Sequence, residues 1–483
     1  MDLRDIASSR MDVGARATAL EPWSVEFFAL ACAVIFSIVV LSRGKERIEA
    51  KLFFVYIVFL PFTDRVYRVF SLQPVEMVVL VLFMVSIVRF AVSGRPLLLG
   101  VHTPYLAFLA ALFLVTLTAP GFRGFWEGHQ LIFGDEYFMT PSMYQLPPVY
   151  NWLYWMRFAV ITVGMLFFYQ AFTSEGSGAL LEKSIRLYVL AGTFAGLVTI
   201  VQAALFLGGY GVNGIFYDMG VLRVKGLAHE PTTMGSYLLS SLVLAFSFSR
   251  VKGLKVKYGH FLVQLFGMVL TVSVTMLTIM VLTIAGLTVA SVAMSRRISS
   301  VIPSWKGALV GVLLLIPIVA LAGAGDFGLV KDKIDMYLSA YLSPETIPLD
   351  PSGKTGVKGA DVYFSLKYLG EHPLFGIGFS NFVFTEATAT NTYFTILAES
   401  GVFGFTLFFL WALFFYRRLH IIFKRINRYS EHVLPLYAYI YITLPLTLFF
   451  LRVFNFHYIW VMVLFPVVMD SIVKGDKAPC ASG

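Results

Sequence analysis

The chain alternates long apolar runs with short polar breaks. The runs fall near 24–42, 52–63, 75–93, 103–119, 151–173, 186–207, 231–249, 261–295, 307–323, 392–416, 433–451 and 456–473. Crossing a bilayer takes about 20 apolar residues at ~1.5 Å of rise each, so most of these runs predict a membrane-spanning helix. The 52–63 run is short and ends at Pro61, with Asp64 and Arg65 close behind. It predicts a helix that either continues towards Tyr67 or inserts only in part. The 261–295 run is too long for one span. Arg250, Lys252, Lys255 and Lys257 precede it, and Arg296, Arg297 and Lys306 follow it. With both basic clusters on one side, the run must enter the bilayer and return, which predicts two helices turning near Thr278–Thr283.

Basic residues orient the whole thread, because Lys and Arg collect in the loops on the inner side. The cluster Arg417, Arg418, Lys424, Arg425 and Arg428 is the strongest such mark. Working outwards from it, segments 43–51, 94–102, 174–185, 250–260, 296–306 and 417–432 fall inside. Segments 120–150, 208–230 and 324–391 fall outside. The fold class is therefore all-α and polytopic. It has about 13 spans, within a range of roughly 12 to 14, and an inner C-terminus.

Three parts follow. Residues 1–323 carry the N-terminal helices and the outer loops 120–150 and 208–230. Residues 324–391 form one large outer loop, and residues 392–483 the last helices and an inner tail. Loops that long are usually functional or disordered. Tyr363, Phe364, Leu366, Tyr368 and Leu369 predict an amphipathic helix within it, lying on the membrane surface. No internal repeat is visible, which speaks against a transporter built from two related halves.

Composition agrees. Of 483 residues, 58% are hydrophobic and 13% charged, against about 25% charged in an average soluble domain. Aromatics make up 16%, with 46 Phe and 24 Tyr, which suits helices facing acyl chains. The net charge of +9 is explained by basic inner loops and does not point to nucleic acid. The two cysteines, Cys32 and Cys480, are too few and too differently placed for a disulfide framework or a zinc site. Residues 1–22 carry mixed charges and do not read as a cleavable signal.

Several familiar signatures fail on inspection. His229-Glu230 starts like a metalloprotease motif, but Thr233 stands where the second His belongs and Pro231 breaks the helix. Gly353-Lys354-Thr355 ends like a phosphate loop, but Pro348 holds the opening glycine position. Gly376-Ile377-Gly378 lacks the third glycine of a dinucleotide fingerprint. No metal or cofactor is expected.

Two segments carry candidate chemistry. The first is Arg223-Val-Lys225-Gly-Leu-Ala-His229-Glu230-Pro231, at the outer mouth of a helix starting near Pro231. One reading is helix capping, with Glu230 at the positive helix end. The other is a phosphate or pyrophosphate site: a helix N-terminus with Arg223 and Lys225 beside it, and Glu230 or His229 as base or orienter. The second segment runs from Lys358 and Asp361 through His372 and Gly376-Ile377-Gly378 to Asn391 and Glu399. Asn391 stands where a helix cap belongs. Glu399 is an intramembrane carboxylate, either functional or paired to fix packing. Arg452 and His457 form a third set near the outer end of the last helices. There, reaching out to the interface competes with a role in binding. Glu127, His129 and Asp135 in the first outer loop are the weakest set, read as solvated polarity.

His372-Pro-Leu-Phe-Gly-Ile-Gly-Phe-Ser-Asn-Phe, then Asn391-Thr-Tyr, then Leu397-Ala-Glu-Ser-Gly-Val-Phe-Gly404, resembles the O-antigen ligase and O-antigen polymerase superfamily. The stretch from Arg223 through Gly226, Glu230 and Pro231 to Gly235-Ser-Tyr-Leu238 resembles its other shared region. The motifs cover some 60 residues on this reading, and the architecture most of the chain.

The resemblance implies a bacterial inner-membrane glycosyltransferase whose outer face is periplasmic. Such an enzyme takes a glycan from an undecaprenyl-pyrophosphate carrier with inversion, without a metal, in exopolysaccharide or lipopolysaccharide biosynthesis. It implies Arg223 as a pyrophosphate-binding arginine and places the second such position at Lys358; Lys225 and Arg452 are the nearby cations read here as adding charge. It implies a flippase and a chain-length regulator as partners. The pattern departs at Thr390, where ligases carry the His that serves as base, and at Lys358, where a second arginine is usual. These departures favour polymerase over ligase, with Glu230, His229 or His372 left to assist the acceptor hydroxyl. A ligase acting on lipid A core or protein, and a flippase for the lipid-linked sugar, remain the alternatives.

Overall fold

The computed structural model describes residues 24–42, 46–63, 67, 73–93, scattered positions from 155 to 172, 178–210, 212, 215–218, 221–228, 230–248, 258–271, scattered positions from 273 to 283, 360–378, 382, 391–426, 436–437, 439–450 and 457–475. The predicted spans at 103–119 and 307–323 and the loop 120–150 lie outside them, as do His229, Lys358, Thr390 and Arg452.

The described chain is mostly helical. The N-terminal helices are α1 (Val25–Ser42), α2 (Ile48–Phe59) and α3 (Pro74–Ser93). Then come α4 (Gly178–Leu207), α5 (Pro231–Phe248) and α6 (Tyr258–Leu270). The C-terminal part holds α7 (Ala360–Glu371), α8 (Thr392–Ile426), a π-helical turn (Tyr439–Thr443) running into α9 (Leu444–Phe450), and α10 (His457–Gly475). Among the described residues, three helices are long and apolar enough to cross a membrane: Val25–Ser42, Ala179–Leu207 and Thr392–Phe423.

Helix α1 shows why these helices suit lipid. Its buried positions are Glu26, Ala29, Ala33 and Ser37, a narrow stripe of mostly small residues at helical spacing. Phe28, Ile35 and Ile38 on the remaining faces are exposed. An apolar exterior over a small-residue contact stripe is the reverse of a soluble helix and the usual arrangement in a bilayer.

Helix α4 is the hub, packing against α1, α2, α5, α6 and α10. It meets α6 so closely that a Cβ on Gly267 would lie 2.8 Å from the Cα of Gly196. Beside that crossing the Gln264 amide donates to the Val189 carbonyl at 2.8 Å and to the Thr193 hydroxyl at 3.0 Å. A side-chain amide spent on a neighbouring helix glues it where no water competes.

Hydrogen bonds mark the two ends of the bundle. At one end Lys183 donates to Glu46, joining the segments 43–51 and 174–185, which were both assigned to the inner side. The Lys183 ammonium holds the Glu46 carboxyl below its ordinary value. Both groups are partly exposed, so solvent screening leaves this pair little weight in stability. At the other end the Gln202 amide donates to the Glu26 carboxylate at 2.7 Å and to the Gly226 carbonyl at 3.3 Å.

Three features differ from the sequence reading. Residues 215–224 form an antiparallel hairpin, β1 (Ile215–Asp218) and β2 (Val221–Val224), so the fold is not purely helical. The β-branched and aromatic run around Met219-Gly220 is the signal for it. The break in the 261–295 run comes earlier than Thr278. Helix α6 stops at Leu270, and the Ser273 hydroxyl accepts from the Met276 N–H at 3.4 Å, as a cap does at a new helix start. Of the two readings of the 52–63 run, continuation of the helix towards Tyr67 is the one that fails, because the helix ends at Phe59, just before Pro61.

Candidate functional site

The strand register sets Arg223 opposite Phe216 on the hairpin between α4 and α5. The next residues turn the chain into α5. Gly226 takes φ +61°, and a Cβ there would lie 2.6 Å from the Thr199 hydroxyl oxygen, so the position requires glycine. Val224, Leu227 and Ala228 are buried and anchor the segment. Arg223 and Lys225 between these anchors are half-buried, and Glu230 is exposed.

Arg223 is fixed at its tip. Its Nη2 donates to the Thr232 hydroxyl at 3.2 Å, and the Ser273 hydroxyl lies 3.4 Å from the same oxygen. Thr232 is in the first turn of α5, so the guanidinium rests at a helix N-terminus. The Arg223 guanidinium thus lies at the positive end of a helix dipole, where an anion is favoured, and Lys225 follows two residues along the chain.

The second candidate segment is an interlock. Asn391 caps α8: its side-chain oxygen accepts from the Tyr393 and Phe394 N–H groups at 3.0 and 3.2 Å. Its own N–H donates to the buried Asp361 carboxylate at 2.7 Å, which ties α8 to the first turn of α7. Tyr368, Ile377, Phe382 and Ala398 then pack together between α7 and α8. Glu399, only 1% exposed, accepts from the Phe382 N–H at 3.3 Å through its side chain. Its main-chain oxygen accepts from the Gly378 N–H at 3.0 Å. His372 is half-buried, where α7 gives way to the turn.

Loss of the cap alone should be modest. Asn391→Ala is expected to lower stability by about 1 kcal/mol, read as the apparent melting temperature in detergent micelles. Asn391→Ser, which keeps a capping oxygen without adding a charge beside the buried Asp361 carboxylate, should recover most of it. The Asp361 bond uses the backbone N–H and survives both changes.

By position in the fold the candidates fall into two groups. Arg223, Lys225 and Glu230 share the hairpin-to-α5 corner. His372, Asn391 and Glu399 share the α7–α8 interlock, with Asp361 as an added member. Among the described residues, no group of three or more His, Cys, Asp or Glu side chains is placed to hold a metal ion.

His457 is buried at 4% exposure and does not reach out to an interface. It pairs with Tyr56 and faces Glu76, two residues that sequence reasoning passed over. The available signal was Gln73-Pro74-Val75-Glu76, a helix start in which a carboxylate folds back onto the cap. The Gln73 N–H does donate to Glu76 at 2.7 Å.

No family model matches the chain, and no curated protein was found to match it.

Proposed function

We propose that the chain polymerises oligosaccharide repeat units carried on undecaprenyl pyrophosphate, at the periplasmic face of a bacterial inner membrane. The carrying observation is Arg223, held at the N-terminus of α5 by Thr232 with Lys225 close in sequence. On this reading the full thread has roughly 12 to 14 spans, with 324–391 as a periplasmic loop. The end of the bundle that contains Glu26, Gln202 and Gly226 faces outward.

The chemistry needed at that corner is charge neutralisation. An acceptor sugar hydroxyl attacks the anomeric carbon of the donor from the face opposite the pyrophosphate. A new carbon–oxygen bond forms, the bond to the pyrophosphate oxygen breaks, and the hydroxyl proton is lost. Negative charge grows on the leaving oxygen, where fixed cations and helix N–H groups stabilise it more than they stabilise the ground state. Glu230, exposed at the same helix start, is the carboxylate best placed to take the proton. Lys358, Arg452, His229 and His372 remain further candidates for charge or proton transfer. The α7–α8 interlock supplies rigidity beside the membrane.

Purified protein in lipid vesicles, supplied with carrier-linked repeat units, is expected to yield lengthened glycan. Lipid-linked sugar that crosses the bilayer without growing would assign a flippase instead. In a deletion strain, single repeats on the final acceptor support polymerase. Full-length chains stranded on the carrier would assign a ligase.

A further inference from the structure

His457 opens α10, and both of its ring nitrogens face polar groups from other helices. Nδ1 lies 2.7 Å from the Tyr56 hydroxyl on α2. Nε2 lies 3.9 Å from the Glu76 carboxylate in the first turn of α3. The Glu76 and His457 side chains are each 3% exposed, and Tyr56 is fully buried. Phe53 and Phe168 pack on the Tyr56 ring, which excludes water from that side. The carboxylate is itself anchored, because its second oxygen accepts from the Gln73 N–H at 2.7 Å. Glu76 also lies close enough to Tyr56 to act on it electrostatically.

We propose that Glu76, His457 and Tyr56 form an internal proton-binding site. An imidazole between a carboxylate and a phenol accepts and releases a proton with little rearrangement. In the empty state His457 is neutral: Nδ1 accepts from the Tyr56 hydroxyl, and the Nε2 proton faces the Glu76 carboxylate. In the loaded state the imidazolium donates from Nδ1 to the Tyr56 oxygen, and Nε2–H still faces Glu76. The phenol both donates and accepts, so the same contact serves both states with its direction reversed. The triad's net charge goes from −1 to 0 as one proton enters from water. No other bond forms or breaks. Buried carboxylate–histidine arrays inside membrane helices are the usual form of such sites.

The proton sits on His457, and its charge is felt by Glu76 and Tyr56, so all three groups respond to the one titration. Among the described residues, buried phenols follow on the neighbouring helices. Tyr458 on α10 is buried, and the Tyr237 ring on α5 lies 5.9 Å from that of Tyr458. The Tyr188 ring on α4 lies 5.5 Å from that of Tyr237, tilted against it. Among the described residues, Glu76 is a charged group that faces the His457 ring.

The test needs no glycan and stands apart from the proposed enzymology. Full-length protein in lipid vesicles is stepped in pH while infrared difference spectra are recorded. The expected result is one midpoint at which histidine, carboxylate and tyrosine bands change together. Glu76→Gln should remove the carboxylate band and displace the histidine midpoint. His457→Gln should remove the concerted change altogether. Tyr56→Phe, which deletes one oxygen and keeps the ring, should remove the tyrosine band and shift the histidine band; it remains readable if the other variants fail to fold. A wild-type spectrum without the concerted change overturns the site. So does a Tyr56→Phe or Glu76→Gln spectrum whose histidine signal matches wild type.

Discussion

Arg223→Ala is expected to abolish polymer while leaving the protein in the membrane at its normal level. Removing one preorganised group that meets developing negative charge typically costs on the order of a hundred- to a thousand-fold in turnover. The fold should tolerate the change. Arg223 is half-buried, the hairpin keeps its strand pairing through the backbone, and Thr232 keeps Ser273 as a neighbour. Arg223→Lys should restore only part of the activity, because an ammonium supplies charge without the planar fork that grips two phosphate oxygens. Thr232→Val is a gentler probe: it removes the acceptor that aims the guanidinium and leaves the charge in place, so its loss should be smaller than that of Arg223→Ala. Glycan chain length distinguishes the outcomes on a gel. Normal length in Arg223→Ala cells, with the protein present, would remove this corner from the reaction.

The helices were legible because their signal is long and redundant. Runs such as 24–42 and 392–416 hold many apolar residues each, and helix or no helix hardly depends on any one of them. The corner at Arg223 was legible as well, since Gly226, Pro231 and a basic pair mark a turn into a helix start. What escaped were features decided by single atoms or by distant chain segments. The break after Leu270 depends on one hydroxyl, that of Ser273, in a run rich in Thr and Ser. The hairpin at 215–224 is four residues a side, too short to stand out in an apolar chain. Tyr56 and His457 are separated by 401 positions, and neither neighbourhood hints at the other. Glu399 carried an open choice between function and packing. The Phe382 N–H on its side chain is a contact that only the folded α7–α8 turn brings into reach.

Gly401→Ala should be among the most damaging single-methyl changes in the protein. Gly401 interrupts α8 at φ 63° and ψ −171°, a region that essentially only glycine occupies. The break opens α8 to the turn after α7. There the Ile377 N–H donates to the Ala398 carbonyl at 2.9 Å and the Gly378 N–H to the Glu399 carbonyl at 3.0 Å. In return, Val402 N–H donates to Pro373 at 2.9 Å and Phe403 N–H to Leu374 at 3.2 Å. The two backbones approach so closely that a Cβ on Gly401 would lie 2.3 Å from the Leu374 carbonyl oxygen. A Cβ on Gly376, at φ +68°, would lie 2.3 Å from that of Ala398. Neither methyl can turn away, because the obstacle is main chain on both sides. Strain at the glycine-only conformation and loss of the cross-bonds together predict a destabilisation on the order of 4 kcal/mol. Gly376→Ala should behave alike. Gly370→Ala is the matched control: it lies in the same helix-turn unit, within α7, and an added methyl meets nothing within 4 Å. It should be neutral or raise stability by up to ~1 kcal/mol. Size-exclusion profiles of detergent extracts give the comparison directly. A Gly401→Ala protein that accumulates and melts like wild type would show that the interlock does not hold these two segments together.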